Sequence, residues 1–302
     1  MSMDKTVSGK VAFIGAGIMG KPMIRNLQKA GVDVHVYDIL SESRKAMADE
    51  GITVSDDLRS VAGGAAVAVT MLPDTPHVRA VLFDEGGLFE TLGKGAVIVD
   101  MSTISASAVR TMAAKLREEK GIDLLDAPVS GGVKGAINGA LSIMVGGDRE
   151  AYDKVRDLLS FMGTSLYVGP PGTGQVFKMC NQLMCAMHIQ AMCEAFALCR
   201  SQGGDLEALR QVLIGGAAGS WMLENLGPQV LKKDDSAGFR IDLQLKDLRL
   251  ASEVAFESGV PLPGLALATS LYLEARAHKE GGNGNQAMFR TYDRLACQTE
   301  QE

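Results

Sequence analysis

One lysine and two side-chain amides share a helical face in Gly172-Thr173-Gly174-Gln175-Val176-Phe177-Lys178-Met179-Cys180-Asn181-Gln182, with Asn181 three and Gln182 four residues beyond Lys178. A lysine placed this way can give a proton to a carbonyl oxygen as hydride reaches the carbon, and take it back in the oxidative direction. The positive end of a helix dipole and any burial both disfavour the ammonium form, which draws the amine toward acid–base work. A lone lysine is more often a solvated surface charge. The glycines before Lys178 and the amides after it favour the chemical reading.

A second constellation is Asp126-Ala127-Pro128-Val129-Ser130-Gly131-Gly132, a strand end breaking into a serine-glycine turn. Unhindered amides at Ser130, Gly131 and Gly132, with one hydroxyl, offer a nest for a carboxylate, or form only a tight turn. Lys134 either adds charge there or is simply exposed. A third is Gly15-Ala16-Gly17-Ile18-Met19-Gly20. The first glycine makes the strand-to-helix turn, the second admits a pyrophosphate, and the third lets helix and strand approach. A glycine triplet alone is weak evidence in a chain with 35 glycines. This one follows an apolar strand and opens a helix, which is the context a dinucleotide needs. Asp38, at the end of the next strand, would bond the ribose hydroxyls and repel a 2′-phosphate, favouring NAD; Arg44 or Lys45 leaves NADP possible.

These groups need a scaffold. Short β-rich runs at 11–15, 32–37, 67–71, 97–99, 123–125 and 142–145 alternate with helical stretches at 19–30, 41–50 and 76–82. That alternation predicts an α/β fold, a doubly wound and mostly parallel Rossmann sheet. After Pro170-Pro171-Gly172 the texture turns to Met, Ala, Leu and Gln at helical spacing. One long helix is expected over 174–202, with others at 205–214, 221–231, 243–257 and 265–279. Two domains follow, 1–170 for the nucleotide and 171–302 for substrate and oligomerisation.

Composition narrows the function classes. The chain has 302 residues, 46% hydrophobic and 22% charged, with mean hydropathy +0.09 and net charge −6. A soluble globular protein is expected, without the basic excess of a nucleic-acid binder. The polar start and the lack of an uninterrupted apolar run of about 18 residues predict a cytoplasmic protein without a membrane role. Cys180, Cys185, Cys193 and Cys199 fall in one predicted helix at spacings of 5, 8 and 6, which suits reduced, buried thiols rather than disulfides. Cys185 and His188 share a face but lack further ligands, so no metal is expected. Met179, Met184, Met187 and Met192 suit core or subunit packing.

Four blocks together resemble the β-hydroxyacid dehydrogenase family, which includes 3-hydroxyisobutyrate dehydrogenase and 2-hydroxy-3-oxopropionate reductase. They are Phe13 to Met23 with Asn26-Leu27, Met71-Leu72-Pro73-Asp74, Asp126 to Gly132, and Gly172 to Gln182. The resemblance spans nearly the whole chain. It implies an NAD(P)-dependent oxidoreductase interconverting a short β-hydroxyacid and its semialdehyde. It further implies an all-α C-terminal domain of the 6-phosphogluconate dehydrogenase C-terminal-like type and a homodimer or homotetramer. Lys178 then matches the catalytic lysine, Ser130, Gly131 and Gly132 the substrate-carboxylate turn, and Asn181 and Gln182 the polar pair after the lysine. Leu72, Pro73 and His77 match the loop over the nucleotide, Thr103 a cofactor-contacting threonine, and Lys246 a lysine reaching the cofactor, with Asp247 beside the substrate. The segment Gly284-Asn285-Gln286-Ala287-Met288 departs from the family by lacking its acidic residue and serine. The lysine argues against the imine-reducing branch. The stretches after Ser130 and around Gly238 resemble the 2-hydroxy-3-oxopropionate reductases, so reduction to glycerate is the first expectation. A 3-hydroxyisobutyrate or related 3-hydroxyacid dehydrogenase is the second. A non-catalytic nucleotide-binding interaction protein is the rival class, and Lys178 speaks against it.

Overall fold

The computed structural model describes residues 9–296; the polar start at 1–8 and Cys297 lie outside them. The chain divides into two compact units between Lys178 and Met179.

In the first unit the strands are β1 (Val11–Ile14), β2 (Val34–Tyr37), β3 (Thr53–Ser55), β4 (Val67–Thr70), β5 (Val97–Asp100), β6 (Asp123–Asp126), β7 (Val129–Ser130), β8 (Leu141–Gly146) and β9 (Gly163–Gly169). Their order is β3-β2-β1-β4-β5-β6-β8-β7, with β9 beside β8. From β3 to β6 all pairs are parallel, and the order reverses at β1, where β2 and β4 lie on opposite sides. The strands β1, β4 and β5 are buried along their whole length, as a parallel sheet covered on both faces requires.

The helices are α1 (Gly20–Lys29), α2 (Ser41–Ala48), α3 (Leu58–Ala62), α4 (Thr75–Phe83), α5 (Leu88–Thr91), α6 (Ala106–Lys120), α7 (Gly132–Ile137) and α8 (Arg149–Ser160). Alternate side chains of β1 enter different cores. Val11 and Phe13 pack with Met23, Ile24 and Leu27 of α1 and Val155 and Leu158 of α8. Ala12 and Ile14 pack with Val78 and Leu82 of α4 and Val109, Met112 and Leu116 of α6. Helices therefore cover both faces.

The structure adds strands β3, β7 and β9 and helices α3, α5, α6, α7 and α8 to those the sequence predicts. The helices α6 and α8 were not anticipated, although the Ser105 hydroxyl caps the first and the Asp148 carboxylate the second. The sheet is mostly parallel as expected, with β8 antiparallel to β6 and β7 and parallel to β9.

In the second unit the helices are the remainder of α9 (Thr173–Ser201), α10 (Leu206–Ile214), α11 (Trp221–Asn225), α12 (Gly227–Leu231), α13 (Ile241–Ser258), α14 (Pro263–Ala277) and α15 (Phe289–Leu295), with a 3-10 turn at Asn285–Met288. Met179, Ala186, Ile189, Met192, Cys193 and Phe196 of α9 pack with Ile241, Leu245 and Leu248 of α13 and Ala268 and Tyr272 of α14. By length and composition alone α9 could cross a bilayer. The single helix expected over 221–231 is two, because Pro228 has no N–H to donate and its ring would strike the carbonyl of Glu224. The thiols are less buried than expected. Cys193 is in the core, where burial pushes its thiol up, while Cys180 is exposed and Cys185 and Cys199 are half-buried. Met179 and Met192 are core residues, and Met184 and Met187 are exposed.

Candidate active site

The nucleotide turn leaves β1 at Gly15 and enters α1 at Gly20. A methyl on Gly15 would collide with the Met71 carbonyl, and one on Gly20 with the Gly15 carbonyl. A methyl on Gly17 would meet nothing within 4 Å. Two glycines thus serve internal closeness and the third leaves an open approach. Ile18 is 71% exposed beside it, Met19 is half-buried, and the Lys21 N–H donates to the Gly17 carbonyl (3.0 Å) as the helix begins. First-turn amides of a helix have no intrahelical partner, so the turn fits a pyrophosphate.

Asp38 follows β2 and is buried. Its Oδ2 accepts the Ala16 N–H (2.7 Å) and its Oδ1 the Leu40 N–H (2.8 Å), which locks the carboxylate to the glycine turn. Arg44 is half-buried and partly engaged by backbone. Its Nη1 donates to the carbonyl oxygens of Asp38 (2.6 Å) and Ile39 (3.2 Å).

The loops after β4 and β5 are tied together. The Leu72 N–H donates to the Ser102 hydroxyl (2.8 Å), the Ser105 N–H to the Thr75 hydroxyl (3.0 Å), and the Thr70 hydroxyl to Asp100 Oδ1 (2.8 Å). This fixes half-buried Leu72 and Thr103 near one another along the sheet's carboxyl edge, with Pro73 and His77 exposed on the α4 side.

After β6 the chain makes the short strand β7 and turns at Gly131 (φ 125°) and Gly132 (φ 60°), both exposed. Two consecutive positive φ values require glycine, and they open the backbone amides of a nest. The helix α7 that follows was not anticipated. Asn26 holds it, donating from Nδ2 to the Ala136 carbonyl (2.8 Å), a role its place in the Asn26-Leu27 motif did not disclose.

Lys178 is buried, 6% exposed, in the second turn of α9. The first turn is anchored by Gln175 and by Asp126 of the second constellation. Gln175 Nε2 donates to the Ser102 carbonyl (2.9 Å), its Oε1 accepts the Ile104 N–H (3.1 Å), and Asp126 accepts the amides of Gly172 and Gln175.

The second unit carries its own polar network. Gln182 Nε2 donates to Asp247 Oδ2 (2.7 Å) and Gln244 Oε1 (3.2 Å), while Gln244 Nε2 donates to the Gln182 carbonyl (3.0 Å). Asn181 Nδ2 donates to Gln182 Oε1 (2.8 Å), and Lys246 Nζ lies 3.2 Å from Asp247 Oδ1. Asp247 is 2% exposed, so within this unit it orients Gln182 and Lys246. Gln244 is the member the sequence reading missed, and its buried amide three residues before Asp247 was the available signal.

The site residues therefore fall into two groups. The nucleotide turn, Asp38, Leu72, Pro73, His77, Thr103, the Ser130 turn and Lys178 belong to the first unit. Asn181, Gln182, Lys246 and Asp247 belong to the second.

Comparison with known proteins bears on the family of the chain. Residues 10–169 match the NAD binding domain of 6-phosphogluconate dehydrogenase, and residues 172–292 match the NAD-binding domain of NADP-dependent 3-hydroxyisobutyrate dehydrogenase. The chain is 38% identical over 288 residues to 2-hydroxy-3-oxopropionate reductase of Escherichia coli, covering 95% of this chain and 98% of the relative. It is 36% identical over 295 residues to 2-(hydroxymethyl)glutarate dehydrogenase of Eubacterium barkeri, covering 97% of each. Among solved structures, Mycobacterium tuberculosis 3-hydroxyisobutyrate dehydrogenase with L-serine superposes with a TM-score of 0.86 at 31% identity, covering 93% of this chain and 98% of that one.

Proposed function

The chain belongs to the β-hydroxyacid dehydrogenase family, as an NAD(P)-dependent oxidoreductase, and we propose that it reduces 2-hydroxy-3-oxopropanoate to glycerate with NADH. The observation that carries the reading is Lys178, a buried amine in the unit that also holds the nucleotide turn and the Ser130 nest. The nest of Ser130, Gly131 and Gly132 holds the substrate carboxylate. The bound nicotinamide supplies the hydride. As the new C–H bond forms and the C=O π bond breaks, Lys178 gives an Nζ proton to the developing alkoxide and regains one from solvent. Asn181 and Gln182 orient the substrate, and Asp247 holds Gln182 and Lys246 in place. Leu72, Pro73, His77 and Thr103 contact the cofactor.

Two details support NADH over NADPH. The Asp38 carboxylate is fixed at the ribose end of the turn, and Arg44, the cation nearest in sequence, directs its Nη1 to backbone carbonyls. Residues 171–302 serve as the substrate and oligomerisation domain. Met184, Met187 and Leu198 on α9 and Leu267 and Leu273 on α14 are exposed apolar groups suited to a dimer or tetramer.

The second reading, oxidation of 3-hydroxyisobutyrate or a related 3-hydroxyacid by the same residues, is favoured by the mycobacterial likeness. A panel of C3 and C4 hydroxyacids and semialdehydes, assayed with both cofactors and ranked by kcat/KM, separates the two. The first reading requires 2-hydroxy-3-oxopropanoate with NADH to rank highest, and a higher rank for 3-hydroxyisobutyrate or L-serine overturns it.

A further inference from the structure

Asp126 ends β6 fully buried, and the chemistry above makes no use of it. Its Oδ1 accepts the Gly172 N–H (2.8 Å) and its Oδ2 the Gln175 N–H (2.9 Å). Those amides flank the start of α9, where a helix has N–H groups without intrahelical partners. The usual solution is a Ser, Thr, Asp or Asn side chain immediately before the helix. Here that residue is Gly172, and the cap comes from a strand 46 residues earlier.

The space around the carboxylate fits it closely. Gly146 is its partner across the antiparallel β6–β8 pair, and a methyl there would lie 2.6 Å from Asp126 Oδ1 and 2.8 Å from the Gly174 nitrogen. A methyl on Gly174 would strike the carbonyls of Met144 and Asp126. The glycines leading into α9 therefore bring its backbone down onto the strand ends. Gln175 joins the same turn to the loop after β5 through the Ser102 carbonyl and the Ile104 N–H, on either side of Thr103. Lys178 follows Gln175 by one helical turn.

We propose that Asp126 and Gln175 are the positioning residues of the reaction, fixing the first turn of α9 on the strand ends so that Lys178 meets the carbonyl oxygen in line. This rests on the reading of Lys178 as the proton donor. Once ionised the carboxylate only accepts, and two N–H groups converge on its two oxygens. An asparagine has one acceptor and would set its NH2 against the other amide. Burial, with Asp100 nearby, pushes the Asp126 carboxyl up to about 7, so the doubly accepting form prevails above that pH.

The test compares Asp126→Asn and Gln175→Met in the wild-type and Lys178→Ala backgrounds at pH 8, where Asp126 is ionised, with 2-hydroxy-3-oxopropanoate and NADH as probes. Each single change is expected to lower kcat by about 10- to 100-fold, as a misplacement near 1 Å does. The substrate KM and the NADH Kd, read by cofactor fluorescence, should stay within about threefold. In the Lys178→Ala background the same changes should cost less than about twofold, because the group they position is gone. An equal loss in both backgrounds overturns the proposal, as does an unchanged kcat in wild type. If Asp126→Asn does not fold, Gln175→Met carries the same comparison. Full activity of Lys178→Ala by itself overturns the proton-donor reading, an outcome visible before either positioning residue is touched.

Discussion

Asp126 also makes a prediction about stability that is independent of catalysis. Its carboxyl stands at about 7 in the folded protein against an ordinary 3.8, mainly because burial disfavours the charge and partly because Asp100 lies beside it, while the amides of Gly172 and Gln175 pull the other way. Below about pH 4 the group is protonated whether the chain is folded or not. Between 4 and 7 the unfolded chain gives up the proton and the folded protein keeps it, so the stability it contributes is lost as pH rises through that window. At about 1.4 kcal/mol per pH unit the whole window is worth about 4 kcal/mol, and about 3 kcal/mol of it falls between pH 5 and 8. Asp126→Asn is neutral throughout and serves as the reference, because titration of every other carboxylate cancels in the difference. For a unit of this size 1 kcal/mol moves Tm by about 2–4 °C, so the advantage of wild type over the variant should shrink by about 6–12 °C between pH 5 and pH 8. Thermal melts of both proteins at pH 5, 6, 7 and 8 measure it. An advantage that is constant, or that grows with pH, would refute the reasoning, since it would mean that the two amides outweigh desolvation.

Lys178→Ala should lower kcat by about 10²- to 10⁴-fold while NADH still binds, and turnover within twofold of wild type would remove the lysine from the mechanism. Asp38→Ser should raise the kcat/KM ratio of NADPH to NADH by about tenfold or more, because a like charge facing a 2′-phosphate costs several kcal/mol; an unchanged ratio would show that Asp38 does not set cofactor choice. Gly20→Ala should destabilise the first unit by about 1–3 kcal/mol and weaken NADH binding, since its methyl must displace the Gly15 carbonyl, and wild-type values for both would contradict the packing role.

What could be read from the sequence was local. The glycine turn after β1, the Gly131-Gly132 turn and the run from Lys178 to Gln182 each draw their meaning from neighbours within a few residues, and periodicity places the first and the last on helices, while the helix that Gly132 opens has no such mark. The helices α6 and α8 are hard to read from sequence because their ends are marked only by single residues, Ser105 and Gly121 for the first and Asp148 for the second. The antiparallel course of β8 had no local mark at all. Strand direction depends on where the chain returns, and Leu141–Gly146 alternates like any half-buried strand.

Partners far apart in sequence account for the rest. Arg44 could be read as a 2′-phosphate ligand because its side chain has the charge and reach; only the hydrogen bonds to the carbonyls of Asp38 and Ile39 show it engaged elsewhere. Asp126 was visible in its motif, but its two acceptor bonds reach residues 46 and 49 positions later. Gln175 likewise reads as one more amide in a helix until Ser102 and Ile104 are placed against it. The lysine and the carboxylate nest are chemistry and keep their character in any scaffold. The residues that aim them have no chemistry of their own, so their function exists only as geometry, and a substitution there should leave binding intact while the rate falls.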